Sequence, residues 1–100
     1  MIDQIKELKR NLLMRLPKLF GTNGSKTAEK IQQIAAKLDY VQMMWGTHKQ
    51  MAKQELNTIT QKEIEKCWRL VNGEDRGQFE LDKQQCINQF LQIITEIENE

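Results

Sequence analysis

The sequence has a single proline, a single histidine, five glycines and two cysteines among its 100 residues. Cys67 and Cys86 form no CxxC pair, and a zinc site of the usual Cys/His type would need carboxylates to complete it. We therefore expect no metal and no cofactor, and two buried, reduced thiols that behave as small apolar side chains. The scarcity of Pro and Gly, with 29% charged residues, favours a folded, helix-rich protein.

Long apolar segments are also missing. No uninterrupted apolar run exceeds three residues, whereas a membrane-spanning helix needs about 20. The first residues lack the apolar block of a signal peptide. These absences predict a cytoplasmic protein without a membrane segment. One hundred residues are enough for one domain with its own core, so we predict a single helical domain over residues 1–100.

No stretch carries a catalytic motif. Residues 21–27 (GTNGSKT) look superficially like a phosphate-binding loop, but Ser25 replaces the glycine before the lysine and the spacing is one residue short. A predicted helix, instead of a strand, also precedes it. His48 comes with neither an orienting carboxylate nor a nucleophile that the sequence identifies. We expect no catalytic residues and a non-enzymatic protein.

The chain is organised around residues 28–56. One face of this stretch repeats at alternating steps of three and four residues, which predicts a helix. The residues of that face are Ile31, Ile34, Leu38, Val41, Trp45, His48, Ala52 and Leu56. Gly46 permits a break, but the alternating steps of three and four residues continue beyond it, so an unbroken helix is favoured. Apolar residues between positions 40 and 45 cover almost the whole circumference, which indicates packing on more than one side.

Three shorter amphipathic helices complete the prediction. The apolar patterns place them at residues 2–16, 61–72 and 78–97. Pro17 and Gly21 mark the end of the first, Ser25 is the expected N-cap of the central helix, and Gly73 follows the third. Thr60 and Glu63 form a capping box, the clearest boundary signal in the chain. The predicted fold is an all-α small bundle of about four helices around one long central helix.

Charge is distributed unevenly along the chain. Residues 1–53 contain ten Lys or Arg against four Asp or Glu, and residues 54–100 contain five against ten. The halves therefore carry +6 and −5. This separation favours docking onto an anionic partner or onto a neighbouring copy, unless the two halves interleave and cancel.

The surplus of apolar positions supplies the leading functional hypothesis. Side chains that fall off the core faces are candidate anchors for a partner: Met43, Met44, Met51 and Leu70. We expect a non-enzymatic small helical subunit or adaptor of a larger assembly, which acts through contacts with a protein partner or its own copies.

The cations of the first half support an alternative. Contact with the backbone of RNA or single-stranded DNA needs only spaced positive charges, and the candidates are Lys6, Lys9, Arg10, Arg15, Lys18, Lys26 and Lys30. Such a protein would be similar, in size and helical class alone, to the small subunits of CRISPR effector ribonucleoproteins. A further alternative is an inhibitor or immunity-type protein of a mobile element, with Trp45 and Trp68 as anchors if they are exposed.

Overall fold

The computed structural model describes residues 1–19 and 24–99, and this part of the chain is helical without any strand. The helices are α1 (Ile2–Leu13), α2 (Leu16–Leu19), α3 (Ser25–Met44), α4 (Lys49–Leu56), α5 (Gln61–Lys66) and α6 (Arg76–Glu98). The predicted all-α bundle is confirmed. The stop predicted at Gly21 lies outside the described residues.

One hydrophobic cluster draws on every helix. Ile5, Leu8 and Leu12 of α1 are fully buried, and α1 packs against α3 and α6. Trp68 is buried as expected, and both cysteines are buried and reduced. The apolar spacing in the sequence therefore identified most of the core, because residues three and four apart share one face of a helix.

The first helix is shorter than predicted. It ends at Leu13 instead of residue 16, and a turn at Met14 and Arg15 separates it from α2. Pro17 explains this end, since it lacks the amide that would bond to the Leu13 carbonyl. The turn is closed by hydrogen bonds from Arg15 N to Leu12 O at 3.2 Å and from Lys18 N to Arg15 O at 3.0 Å.

The prediction of an unbroken central helix was wrong. α3 ends at Met44 and α4 begins at Lys49, and His48 between them has φ −137° and ψ 68°. α4 turns back along α3. This is shown by Lys37 in the middle of α3, which donates a hydrogen bond to Thr58 just beyond α4 at 3.1 Å. His48, expected at the edge of the apolar face, is exposed. Ala52 and Leu56 are nevertheless buried, as predicted. The spacing of the apolar residues is therefore compatible with a hairpin as well as with a straight helix.

The third predicted helix is also shorter. Thr60 caps α5 as expected by accepting a hydrogen bond from Glu63 N at 3.2 Å. The helix stops at Lys66 instead of residue 72, and residues 67–75 form a loop, here named the 67–75 loop. In this loop the carbonyl of Arg69 accepts a hydrogen bond from the Arg15 side chain, and the amide of Val71 donates one to the side chain of Glu74 within the same loop. The bond from Arg15 is a tertiary contact that the local sequence pattern does not contain.

Two helix starts differ from the prediction. Gly24, and not Ser25, is the N-cap residue of α3. α6 begins at Arg76, two residues early, because the Asp75 side chain accepts a hydrogen bond from Gln78 N at 2.9 Å. On α6, Leu81 and Leu91 are exposed, and Ile94 and Ile97 are only partly buried.

Candidate functional site

The turn between α3 and α4 carries the most prominent apolar exposure on the hairpin. Met43 is 65% exposed and Met51 is 45% exposed, and each lies within about one turn of the connection at residues 45–48. We name residues 43–51 the hairpin end. Trp45 at its centre is half-buried, with Lys49 Nζ 5.0 Å from its ring centroid. A cation at this distance is attracted by the face of the indole ring.

The local sequence explains why α3 ends here. Gly46 and Thr47 have weak helix propensity and follow Trp45 directly, so the helix ends where the helix propensity of the chain is low. α4 packs chiefly on α3 and buries only Ala52 and Leu56. Every residue from 46 to 51 is exposed. The hairpin end is therefore an exposed, partly apolar surface beside a short helix that buries only two side chains.

The four predicted partner anchors do not form one surface. Met43 and Met51 belong to the hairpin end, whereas Met44 is half-buried and packs against the core. Leu70 is 37% exposed but lies in the 67–75 loop. Its neighbour Arg69 lines a pocket with Lys26 at the start of α3, and α3 separates that position from Met43 by about 25 Å. Only the two methionines Met43 and Met51 remain as a joint candidate site.

The predicted phosphate contacts on α1 lie among carboxylates. Lys9 forms an ion pair with Asp39 of α3, and Arg10 Nη2 lies 3.4 Å from Glu7 Oε1. Lys6 is exposed and shares a shallow surface depression with Arg10, Glu7 and Asp3. The positive charge of this helix is thus offset locally. The candidate phosphate contacts of α1 are therefore not a purely basic surface.

Arg15 is not on the surface at all. Its side chain is 3% exposed and bonds to Glu74 in bidentate fashion and to Arg69 O at 2.7 Å. Its guanidinium carbon lies 4.5 Å from the Trp68 ring centroid and 5.1 Å from that of Phe79. Arg15 is therefore removed from the candidate phosphate contacts. The sequence contained a signal, because the spacing Ile5, Leu8, Leu12, Arg15 continues the buried stripe of α1.

The Arg15 ion pair sets the ionisation of Glu74. Hydrogen bonds from Arg15 hold the pKa of this carboxyl below its usual value, the amide of Val71 adds to the effect, and burial opposes it. Lys18 is exposed beside the same group, and it borders a cleft of about 330 Å³ together with Glu74, Phe79 and Asp82. Three carboxylates, those of Glu74, Asp75 and Asp82, line this cleft with Lys18, which leaves it poorly suited to contact a phosphate.

Lys26 and Lys30 do form part of a cationic group. Together with Lys66 and Arg69 they line an open pocket of about 410 Å³, beside Thr27, Glu65 and Trp68. We name Lys26, Lys30, Lys66 and Arg69 the cation cluster. Sequence reasoning found the first two residues and missed the last two. These belong to the acidic half of the chain, and only the packing of α5 on α3 brings them there.

One carboxylate partly offsets the cation cluster. Glu63 Oε2 accepts from Lys30 Nζ at 2.7 Å, and Glu63 Oε1 lies 3.4 Å from Lys66 Nζ. The hydrogen bond from Lys30 is the main reason that the pKa of Glu63 lies below its usual value. Together with the Arg15–Glu74 pair, the Lys30–Glu63 pair joins the basic half of the chain to the acidic half. The two halves therefore interleave in part.

The two thiols are packing residues. Burial, with a smaller contribution from the neighbouring Cys86, raises the pKa of Cys67 to about 12. Burial likewise raises the pKa of Cys86 to about 11. A thiol with such a pKa carries almost no thiolate near neutral pH, and thiolate is the nucleophilic form. Within residues 1–19 and 24–99, no group of three His, Cys, Asp or Glu side chains is placed to hold a metal.

Comparison of the chain with protein-family models, curated proteins and solved structures found no significant match. In the described part of the chain, no helix combines the length and apolar character that crossing a bilayer requires. Of the two aromatic anchors considered for an inhibitor, Trp68 is buried and Trp45 is half-buried. Among the described residues, the hairpin end groups exposed apolar side chains and the cation cluster groups positive charges.

Proposed function

We propose that this protein is a non-enzymatic helical subunit or adaptor that acts in the cytoplasm by binding a protein partner through the hairpin end. The observation that carries the proposal is the joint exposure of Met43 and Met51 on either side of the α3–α4 turn. Unbranched thioether side chains adapt to the shape of an apolar pocket, and Met is enriched at protein interfaces.

Trp45 adds a second element to this surface. Its ring is half-buried between the two methionines in sequence and stacks with the Lys49 cation. An aromatic side chain held in one orientation loses little entropy on binding, and Trp is among the residues that contribute most to interfaces. The exposed rim beyond it contains His48, Lys49 and Gln50. This arrangement fits a partner with an apolar pocket and a polar or acidic margin.

The contact must extend beyond the two methionines. A stable protein interface buries roughly 1,200–2,000 Å² in total, which is more than two side chains provide. The outer face of α4 supplies further area, since Gln50 and Gln54 are exposed there and only Ala52 and Leu56 of this helix are buried. We therefore place the contact along α4 from the hairpin end.

Site-specific photocrosslinking tests the proposal directly. A photoreactive phenylalanine analogue at position 43 should crosslink to one protein of defined mass in cells that naturally express the chain. The matched control carries the analogue at position 81, because Leu81 is 67% exposed but lies on α6. Mass spectrometry of the adduct distinguishes a second copy of this chain from a different protein.

A double variant completes the experiment. Met43→Ser/Met51→Ser should keep its helicity, since both side chains are exposed, and should lose the crosslink formed by an analogue placed at position 50. Equal crosslinking from positions 43 and 81, or an unchanged adduct in the double variant, would contradict the proposal. Light scattering of the purified chain then shows whether self-association accounts for any adduct with its own mass.

A further inference from the structure

The cation cluster brings together charges from two segments that are distant in sequence. Lys26 and Lys30 are one turn apart on α3, and Lys66 and Arg69 lie at the end of α5 and in the 67–75 loop. The four cations of the cluster lie beside Glu65, which lines the same pocket, and Glu63, which pairs with Lys30 and Lys66, so the group has a net charge of +2. This excess of positive charge attracts anions.

Two members of the cluster are available to bind. Lys26 and Arg69 are exposed, and neither side chain forms an ion pair with a carboxylate among the described residues. Lys30 and Lys66 both contact Glu63, but the Lys66 distance of 3.4 Å is long for a charged hydrogen bond. A planar guanidinium beside an ammonium group is a suitable arrangement for phosphate oxygens, because Arg can donate two parallel bonds while Lys supplies a point charge.

The cations continue in two rows beyond the pocket. On α3, Lys37 is seven residues after Lys30 and so lies on the same side, where it bonds to Thr58. On α5, exposed Lys62 precedes Lys66 by four residues. Because α5 packs against α3, these cations lie on two adjacent helices. A row of charges matches a ligand whose own charges repeat along a chain.

We infer that the cation cluster binds the phosphodiester backbone of a single-stranded nucleic acid. The pocket is open at the surface, so one free phosphate gains little from burial there, whereas a polyanion adds contacts along both rows and releases bound counterions. Trp68 is buried in the pocket wall and cannot stack on bases. Recognition is therefore electrostatic and independent of base sequence.

Fluorescence anisotropy with labelled oligouridine and oligothymidine, at low and at physiological salt, tests this inference. The wild-type protein should bind both oligonucleotides, more weakly as salt rises. Lys26→Glu/Arg69→Glu should lose about tenfold or more in affinity at low salt, and the slope of log K against log salt should fall by about 1.4, or 0.7 for each lost contact. Circular dichroism and thermal melting establish that the variant is folded.

The matched control is Lys6→Glu/Arg76→Glu, which changes the net charge equally at exposed positions outside the cluster. Its affinity should remain within about twofold of wild type. Equal losses in the two variants would overturn the inference, because they would show a nonspecific effect of net charge. It would also be overturned by absence of binding at low salt, by equal binding of polyglutamate, which would indicate an acidic protein, or by full competition from inorganic phosphate at the same phosphate concentration.

Discussion

Arg15 and Glu74 are joined by two hydrogen bonds although 59 residues separate them in sequence. Arg15 Nη1 lies 2.9 Å from Glu74 Oε2, and Nη2 lies 3.0 Å from Oε1. The same two side chains hold the 67–75 loop, since Arg15 bonds to the carbonyl of Arg69 and Glu74 to the amide of Val71. This buried pair is the main polar connection between the end of α1 and the segment before α6, and it holds Trp68 beside the cation cluster.

Breaking this pair should be costly. Arg15→Met keeps much of the side-chain volume but leaves the Glu74 carboxylate, which is 8% exposed, without its charged partner. Loss of one member of a buried pair typically costs about 3–5 kcal/mol. Urea unfolding measures the change. The matched control is Lys9→Met, which breaks the more exposed pair with Asp39 and should cost about 1 kcal/mol or less. Similar losses in the two variants would contradict the assignment.

A double variant distinguishes two causes of the lost stability: the unpaired Glu74 carboxylate and the lost packing of the Arg15 side chain. Arg15→Met/Glu74→Leu removes both charges, so no carboxylate remains buried without a cation. We expect it to be more stable than Arg15→Met alone in the same urea titration. If the double variant is the less stable of the two, the cost arises from lost packing around Trp68 and Phe79 and not from an unpaired charge.

Acid should weaken the fold through Glu74. Its pKa in the folded protein lies below the ordinary value of 4.5, chiefly because of Arg15. The unfolded chain therefore takes up the proton at higher pH than the folded one. The stabilisation is complete above the unfolded pKa and is lost as pH falls through the folded one. Urea midpoints between about pH 5 and pH 2 should show this decline in wild type, and a smaller decline in Glu74→Gln. Parallel pH profiles for the two proteins would refute the prediction.

Alkali should weaken the fold through the two thiols. The pKa values of Cys67 and Cys86 are raised to about 12 and about 11, against an ordinary value of 9.0. Since the unfolded chain ionises first, their stabilisation is complete below pH 9 and is lost as pH rises towards the folded values. Native protein should also react slowly with iodoacetamide at neutral pH and rapidly after unfolding in urea. Fast alkylation of either thiol in the folded state would show that it is accessible.

The sequence predicted most of the core but not the turns that reshape it. The prediction correctly placed four residues on a buried face: Leu38, Val41, Ala52 and Leu56. Apolar residues spaced three and four apart share one face of a helix, and this spacing alone identifies the buried side. The same period is compatible with a straight helix and with a hairpin, so it could not show that α3 ends at Met44. The loop that follows Lys66 is bound by Arg15 at the carbonyl of Arg69, and no local pattern contains this contact between distant segments.

The candidate sites were harder to predict than the fold. Charge alone placed Arg15 with the surface cations, although its spacing after Leu12 indicated the buried face. Lys66 and Arg69 join the cation cluster only through the packing of α5 on α3. Their sequence neighbourhood is acidic and gave no reason to consider them. Met43 and Met51 were identified because they interrupt the polar side of their helices, which is a local feature.

Alanine at Gly46 and at Gly73 should have opposite effects. Gly46 has no atom within 4 Å of an added Cβ and no positive φ, so Gly46→Ala should stabilise by about 0.4–1 kcal/mol through the unfolded state. Gly73 has φ +90°, and Gly73→Ala should cost about 1–2 kcal/mol. Urea unfolding of the two variants measures both effects.

The Gly46 variant also tests the hairpin itself. If the turn at residues 45–48 is fixed by the return of α4 along α3, Gly46→Ala leaves the helix content unchanged, because the Lys37–Thr58 bond and buried Leu56 still hold α4 in place. If instead glycine alone prevents a continuous helix, alanine there should join α3 to α4. Far-ultraviolet circular dichroism would then show more helix, and a spin-label distance between positions 37 and 57 would lengthen. The first result would leave Met43 and Met51 on either side of one turn. The second would separate them and remove the proposed binding surface.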